Sequence, residues 1–192
     1  HTTILSLIKE RSIDLSITGF HSGSIPAATN IIKENRTEED YSKNEWQRDA
    51  ILTATALYRA GSKEAAENIV KKLWSFLGSE EHRKRVVGFH FDTNENSYRR
   101  FIKGENIPHI KFSLDQAGGL TWCNHGWGHQ QIDAIGAGIW APYRFANQGD
   151  FNLINIDPVK DHNESILVSY IKFLNKIRVW DTLDLGPWED VM

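Results

Sequence analysis

Three clusters in this sequence combine residue types suited to chemistry. The first is Trp46-Gln47-Arg48-Asp49, an aromatic face followed by a guanidinium and a carboxylate. Two readings stay open for it. One is a capping ion pair at a helix start, where the dipole favours a carboxylate; the other is a clamp for ligand hydroxyls beside an aromatic wall. The second cluster lies in the stretch from Gly118 to Gly149 and is densest between Trp122 and Asp133. Its glycines let a ligand approach the backbone closely, and Trp122 and Trp127 each offer a flat apolar face with one donor. His129, Gln130, Gln131 and Asp133 add directed hydrogen bonds. That mixture suits a ligand with apolar faces and many hydroxyls, such as a sugar ring. The third cluster is Trp188-Glu189-Asp190, after Gly186-Pro187. A glutamate packed against tryptophan can have its proton affinity raised by desolvation, as a general acid requires. The alternative is two acids favoured by the dipole of a first helical turn.

Other chemistries find less support. His125, His129 and Asp133 are spaced by four and would share a helical face, as metal ligands can. Gly126 and Gly128 argue that no helix has begun at His125, and there is no HExxH motif, so hydrogen bonding is the favoured reading and no metal is expected. A GxSxG nucleophile motif and a phosphate-binding loop are both lacking. The single cysteine, Cys123, rules out an intrachain disulfide and a Cys-only zinc site. With 22 basic and 25 acidic residues the net charge is -3, which gives no reason to expect a nucleic acid or an anionic membrane as partner. No apolar run approaches the roughly 18 residues of a membrane span. No signal peptide is visible, and together with the lone cysteine this favours a cytoplasmic location. The chain starts at His1, as a processed, tagged or trimmed product would.

These clusters need elements to hold them. The 192 residues, 40% of them hydrophobic, are enough for a single domain with a core. Residues 2–14 read as a helix, 18–26 as a Gly-, Ser- and Pro-rich loop, and 33–45 as polar and exposed. A second helix over 46–60 is apolar or small nearly all round and is expected to be buried on most of its surface. Gly61 stops it and Ser62 caps the next. The third helix, 63–77, places Ala66, Ile69, Val70, Leu73, Trp74 and Leu77 on one face, with Gly78 ending it. The second and third would form an αα-hairpin with an inner and an outer member. Within the irregular stretch 79–125, residues 86–91 and 109–114 alternate weakly, as short strands do. A fourth helix, beginning near Gly128 or His129, has Ile132, Ile135, Gly136, Ile139, Trp140 and Tyr143 on its apolar face. Pro142 should kink or shorten it. A fifth, 162–178, turns Ile166, Tyr170, Phe173, Leu174 and Ile177 inward and Lys172 and Lys176 outward. Pro187 would open a sixth. Inner and outer helices alternate, so the expected fold is all-α, an incomplete toroid of five helices and the start of a sixth, with a short β excursion within 79–125.

Taken together, these pieces resemble glycoside hydrolase family 15, the glucoamylase family, and its relatives, including the helical domain of the phosphorylase kinase α and β subunits. Gly23-Ser-Ile-Pro-Ala-Ala28 is similar to the loop after the first barrel helix, and Trp46-Gln-Arg-Asp49 to the Trp-x-Arg-Asp motif. Pro108-His-Ile-Lys-Phe112 is similar to the segment before the central motif. Trp127-Gly-His-Gln-Gln-Ile-Asp-Ala-Ile-Gly136 resembles the Trp-Gly-x-x-Gln-x-Asp motif, and Gly186-Pro-Trp-Glu-Asp190 the segment of the catalytic acid. The five motifs occur in the family's order.

The resemblance implies an (α/α)6 toroid acting on α-glucosidic bonds of oligo- or polysaccharides with inversion, releasing glucose from non-reducing ends without a cofactor. Glu189 would be the general acid. Arg48 and Asp49 would hold the hydroxyls of the terminal glucose, Trp46 and Trp127 would wall the scissile bond, and Asp190 would help bind the leaving sugar. His129, Gln131, Asp133 and Trp188 would complete the substrate site. The family's general base lies in the second half of the toroid, roughly 6.5–9.5 Å across the bond from the acid. This chain would therefore be the N-terminal half, inactive alone, with the C-terminal half as its missing partner. Three departures distinguish it: Asp190 replaces the second glutamate of the usual pair, Gly186-Pro187 is unusual, and His129 stands where glucoamylases often carry arginine. The Trp-Gly-His form is closer to the kinase-subunit branch, where such a domain binds glucan without cleaving it. Toroids of this kind also act on trehalose, β-glycans or terpenes, since a fold alone does not fix a function.

Overall fold

A computed structural model describes residue 6 and residues 43–88, 108–115, 119–123, 131–147 and 166–179. Of these, 71% are helical, in five helices, and a small three-stranded sheet accompanies them. The chain divides into two compact units, His1–Leu73 with Lys111–Trp122, and Trp74–Ile110 with Cys123–Met192.

The first unit is built on the sheet. Strand β1 (Asn44–Trp46) pairs antiparallel with β2 (Lys111–Leu114), and β2 with β3 (Leu120–Trp122). The register sets Trp46 opposite Lys111 and Phe112 opposite Trp122. The Asp115 amide donates to the Gly119 carbonyl and the Gly119 amide to the Asp115 carboxylate, which fixes the two ends of the β2–β3 connection. The strand expected over 109–114 is present as β2, while β1 falls where an exposed polar stretch was expected. Asn44 and Glu45 are both buried there; since successive strand side chains point to opposite faces, both faces of β1 are covered.

Helix α1 (Gln47–Arg59) follows β1 directly, with Trp46 in extended conformation as its N-cap. It ends in a Schellman motif. Gly61 takes a positive φ of 84°, its amide donates to the Tyr58 carbonyl, and the Ser62 amide donates to the Leu57 carbonyl. Helix α2 (Lys63–Leu77) starts immediately after Ser62. Its buried residues are Ala66, Ile69, Val70, Leu73, Trp74 and Leu77, the face expected from their spacing. α1, in contrast, is not buried on most of its surface. Gln47, Ala50, Ile51, Ala54 and Leu57 point inward, but Leu52 is 58% exposed. Small residues on the outer side had made the helix read as apolar all round.

The second unit packs helix α3 (Glu80–Gly88) and helix α4 (Ile132–Asn147) against α5 (Ile166–Lys176). α3 corrects the expectation of a strand beginning at Val86; residues 89–91 of that stretch lie outside the described residues. Ser79 caps it, accepting from the His82 amide through its hydroxyl, and Glu80 and Glu81 complement the dipole in the first turn. α4 runs through Pro142 to Asn147. The indole of Trp74 donates to the Gly138 carbonyl at 3.1 Å, tying the end of α2 to α4. The face of α4 differs from the expectation. Ala134, Ile135, Gly138 and Ala141 are buried, whereas Trp140 and Tyr143 are exposed. α5 buries Ile166, Tyr170, Phe173 and Ile177 as expected, with Leu174 half-buried and Lys172 and Lys176 outside. A Cβ at Gly78 would stand 2.7 Å from Ile166 Cδ1, so a side chain there would push against α5. Cys123 is buried.

The helix expected over 2–14, apart from helical Ser6, lies outside the described residues, as do the loop over 18–26 and the sixth helix. No helix among the described residues is long and apolar enough to cross a membrane.

Candidate functional site

Of the residues singled out from the sequence, Trp46, Arg48, Asp49, Gln131 and Asp133 are described; Trp127, His129, Trp188, Glu189 and Asp190 lie outside the described residues, as does His125. The described ones form two groups, one in each unit.

In the first unit, Arg48 and Asp49 occupy the first turn of α1, where the carboxylate is favoured by the helix dipole. The Arg48 guanidinium lies 3.7 Å from the Asp49 carboxylate, and Asp49 faces solvent. The Arg48 side chain is largely covered while the Asp49 carboxylate is open to solvent. Trp46, expected as an open aromatic wall, is only 5% exposed. β1 carries it inward, and the Lys111 ammonium sits 4.9 Å from its ring centroid in a cation–π contact.

Lys111 was not singled out from the sequence as a neighbour of Trp46. The alternation of the strand gave no signal, since it sets Lys111 with His109 and Ser113 on the polar side. Lys111 and Glu45 are both fully buried in this unit. Lys72 on α2 is half-buried in the same unit. Burial lowers its pKa, and the charges of Glu45 and Asp115 act in the opposite sense.

In the second unit, Gln131 directly precedes α4 and Asp133 stands in its first turn, exposed. The Gln131 carbonyl accepts from the Ala134 and Ile135 amides, which starts the helix. Its side-chain amide is wholly buried and has no hydrogen-bond partner among the described residues. A buried amide left so costs about 1–3 kcal/mol.

A further polar centre in this unit was not anticipated. His82 on α3 is fully buried between Tyr170 of α5 and the backbone of Leu77 and His109. The Tyr170 hydroxyl lies 3.3 Å from His82 Nδ1, with the rings stacked at 5.9 Å. His109 Nε2 meets the Arg85 guanidinium at 3.2 Å. Burial pushes the His82 pKa down to about 3, helped by the neighbouring His109 and Arg85, and burial raises that of Tyr170 well above its usual value. The imidazole is neutral across the physiological range and acts as a hydrogen-bonding strut. Sequence spacing carries no signal for this centre, because His82, His109 and Tyr170 come from three separated segments.

No group of three or more His, Cys, Asp or Glu among the described residues could hold a metal ion. No family model matches the chain, and no curated protein or solved structure does either.

Proposed function

We propose that this chain is part of a hydrolase of α-glucosidic bonds that releases glucose from the non-reducing ends of oligo- or polysaccharides with inversion. The five motifs and their order motivate the reading. The observation that supports it is the Arg48–Asp49 pair in the first turn of α1, with the Asp49 carboxylate exposed. A guanidinium beside a carboxylate offers donors and acceptors to the vicinal hydroxyls of a sugar. At the start of α4, the exposed Asp133 adds a second carboxylate of this kind.

In this reading Glu189 protonates the glycosidic oxygen, and the base that activates water belongs to a C-terminal half of the toroid. Glucose release from maltooligosaccharides by the complete polypeptide is the test. Glu189→Gln should lower turnover by about a hundredfold or more, the usual weight of a general acid. Undiminished turnover would remove the acid assignment. His129 and Gly186-Pro187 favour a second reading, a glucan-binding regulatory domain without hydrolysis. Saturable maltooligosaccharide binding with no glucose formed by the complete polypeptide would establish that reading instead.

A further inference from the structure

We draw no further inference here: the strongest candidate, the buried side-chain cluster of His82 on α3, Tyr170 on α5 and the His109–Arg85 pair, belongs to the polar centre already described, where the neutral His82 ring serves as a hydrogen-bonding strut, and nothing in the structure points to a ligand for it.

Discussion

His82 shows how far a single residue departs from its sequence context. Its pKa is lowered from 6.5 to about 3 by burial, with His109 and Arg85 adding to the shift. The sign of its effect on stability follows. Below pH 6.5 the unfolded chain takes up a proton that the folded chain refuses until about pH 3. The stability tied to the neutral ring is therefore complete above pH 6.5 and is lost progressively as pH falls toward 3. The loss approaches about 1.4 kcal/mol per pH unit for one proton. Chemical denaturation at pH 7 and pH 5 should show this slope in the wild type and a flatter one in His82→Gln, whose amide does not titrate. Equal slopes would show that other groups carry the acid sensitivity. At this same scale the candidate site was partly legible. Arg48 and Asp49 stand in a first turn as read. The burial of Trp46 was not legible, because it depends on the pairing of β1 with a strand more than sixty positions later.

Among the elements, legibility tracked how one-sided the hydrophobic pattern was. α2 has six apolar residues at helical spacing and charges opposite them, so its buried face and both ends were readable. α4 carries glycine and alanine on one side and aromatics on the other, and both sides pass as apolar in the sequence; only packing against α5 and the Trp74 indole decided between them. α3 was missed because it is short and rich in Arg, Lys and Glu, with β-branched Val86 and Val87 near its end. Ser79 followed by Glu80 and Glu81 was the signal available for its start. The helix ends offer a direct comparison. α1 and α5 close with the same motif, since the Arg178 amide donates to the Asn175 carbonyl and the Val179 amide to the Leu174 carbonyl. At α1 the left-handed position is Gly61; at α5 it is Arg178, with φ 51°. A side chain there costs about 1–2 kcal/mol that glycine avoids. Arg178→Gly should raise unfolding free energy by about 1 kcal/mol, seen as a higher denaturant midpoint with unchanged m-value. A lower midpoint would mean that the contacts of the arginine outweigh its backbone strain.

For the molecule as a whole, the sequence conveyed a mostly helical chain, and the described residues are mostly helical. Of the three-stranded sheet, β2 and β3 lie within the β excursion expected in 79–125, while β1 escaped because it is short and pairs with a distant stretch, which a local pattern cannot reveal. The polar interior of the first unit, with Lys111 and Glu45 buried, was unreadable for the same reason.

The buried thiol of Cys123 gives this chain a chemical clock. It is the only sulfhydryl in the sequence, so a thiol reagent can report from one address alone. Because the sulfur is enclosed, its labelling rate measures how often the surrounding structure opens. Each tenfold slowing relative to a small free thiol then corresponds to about 1.4 kcal/mol of opening free energy. Native protein should label far more slowly than glutathione, and the rate should climb with denaturant. A steep climb, parallel to global unfolding, would mark Cys123 as sealed by the whole fold; a shallow one would mark a local gate. Labelling at the speed of a free thiol in native buffer would contradict its enclosure.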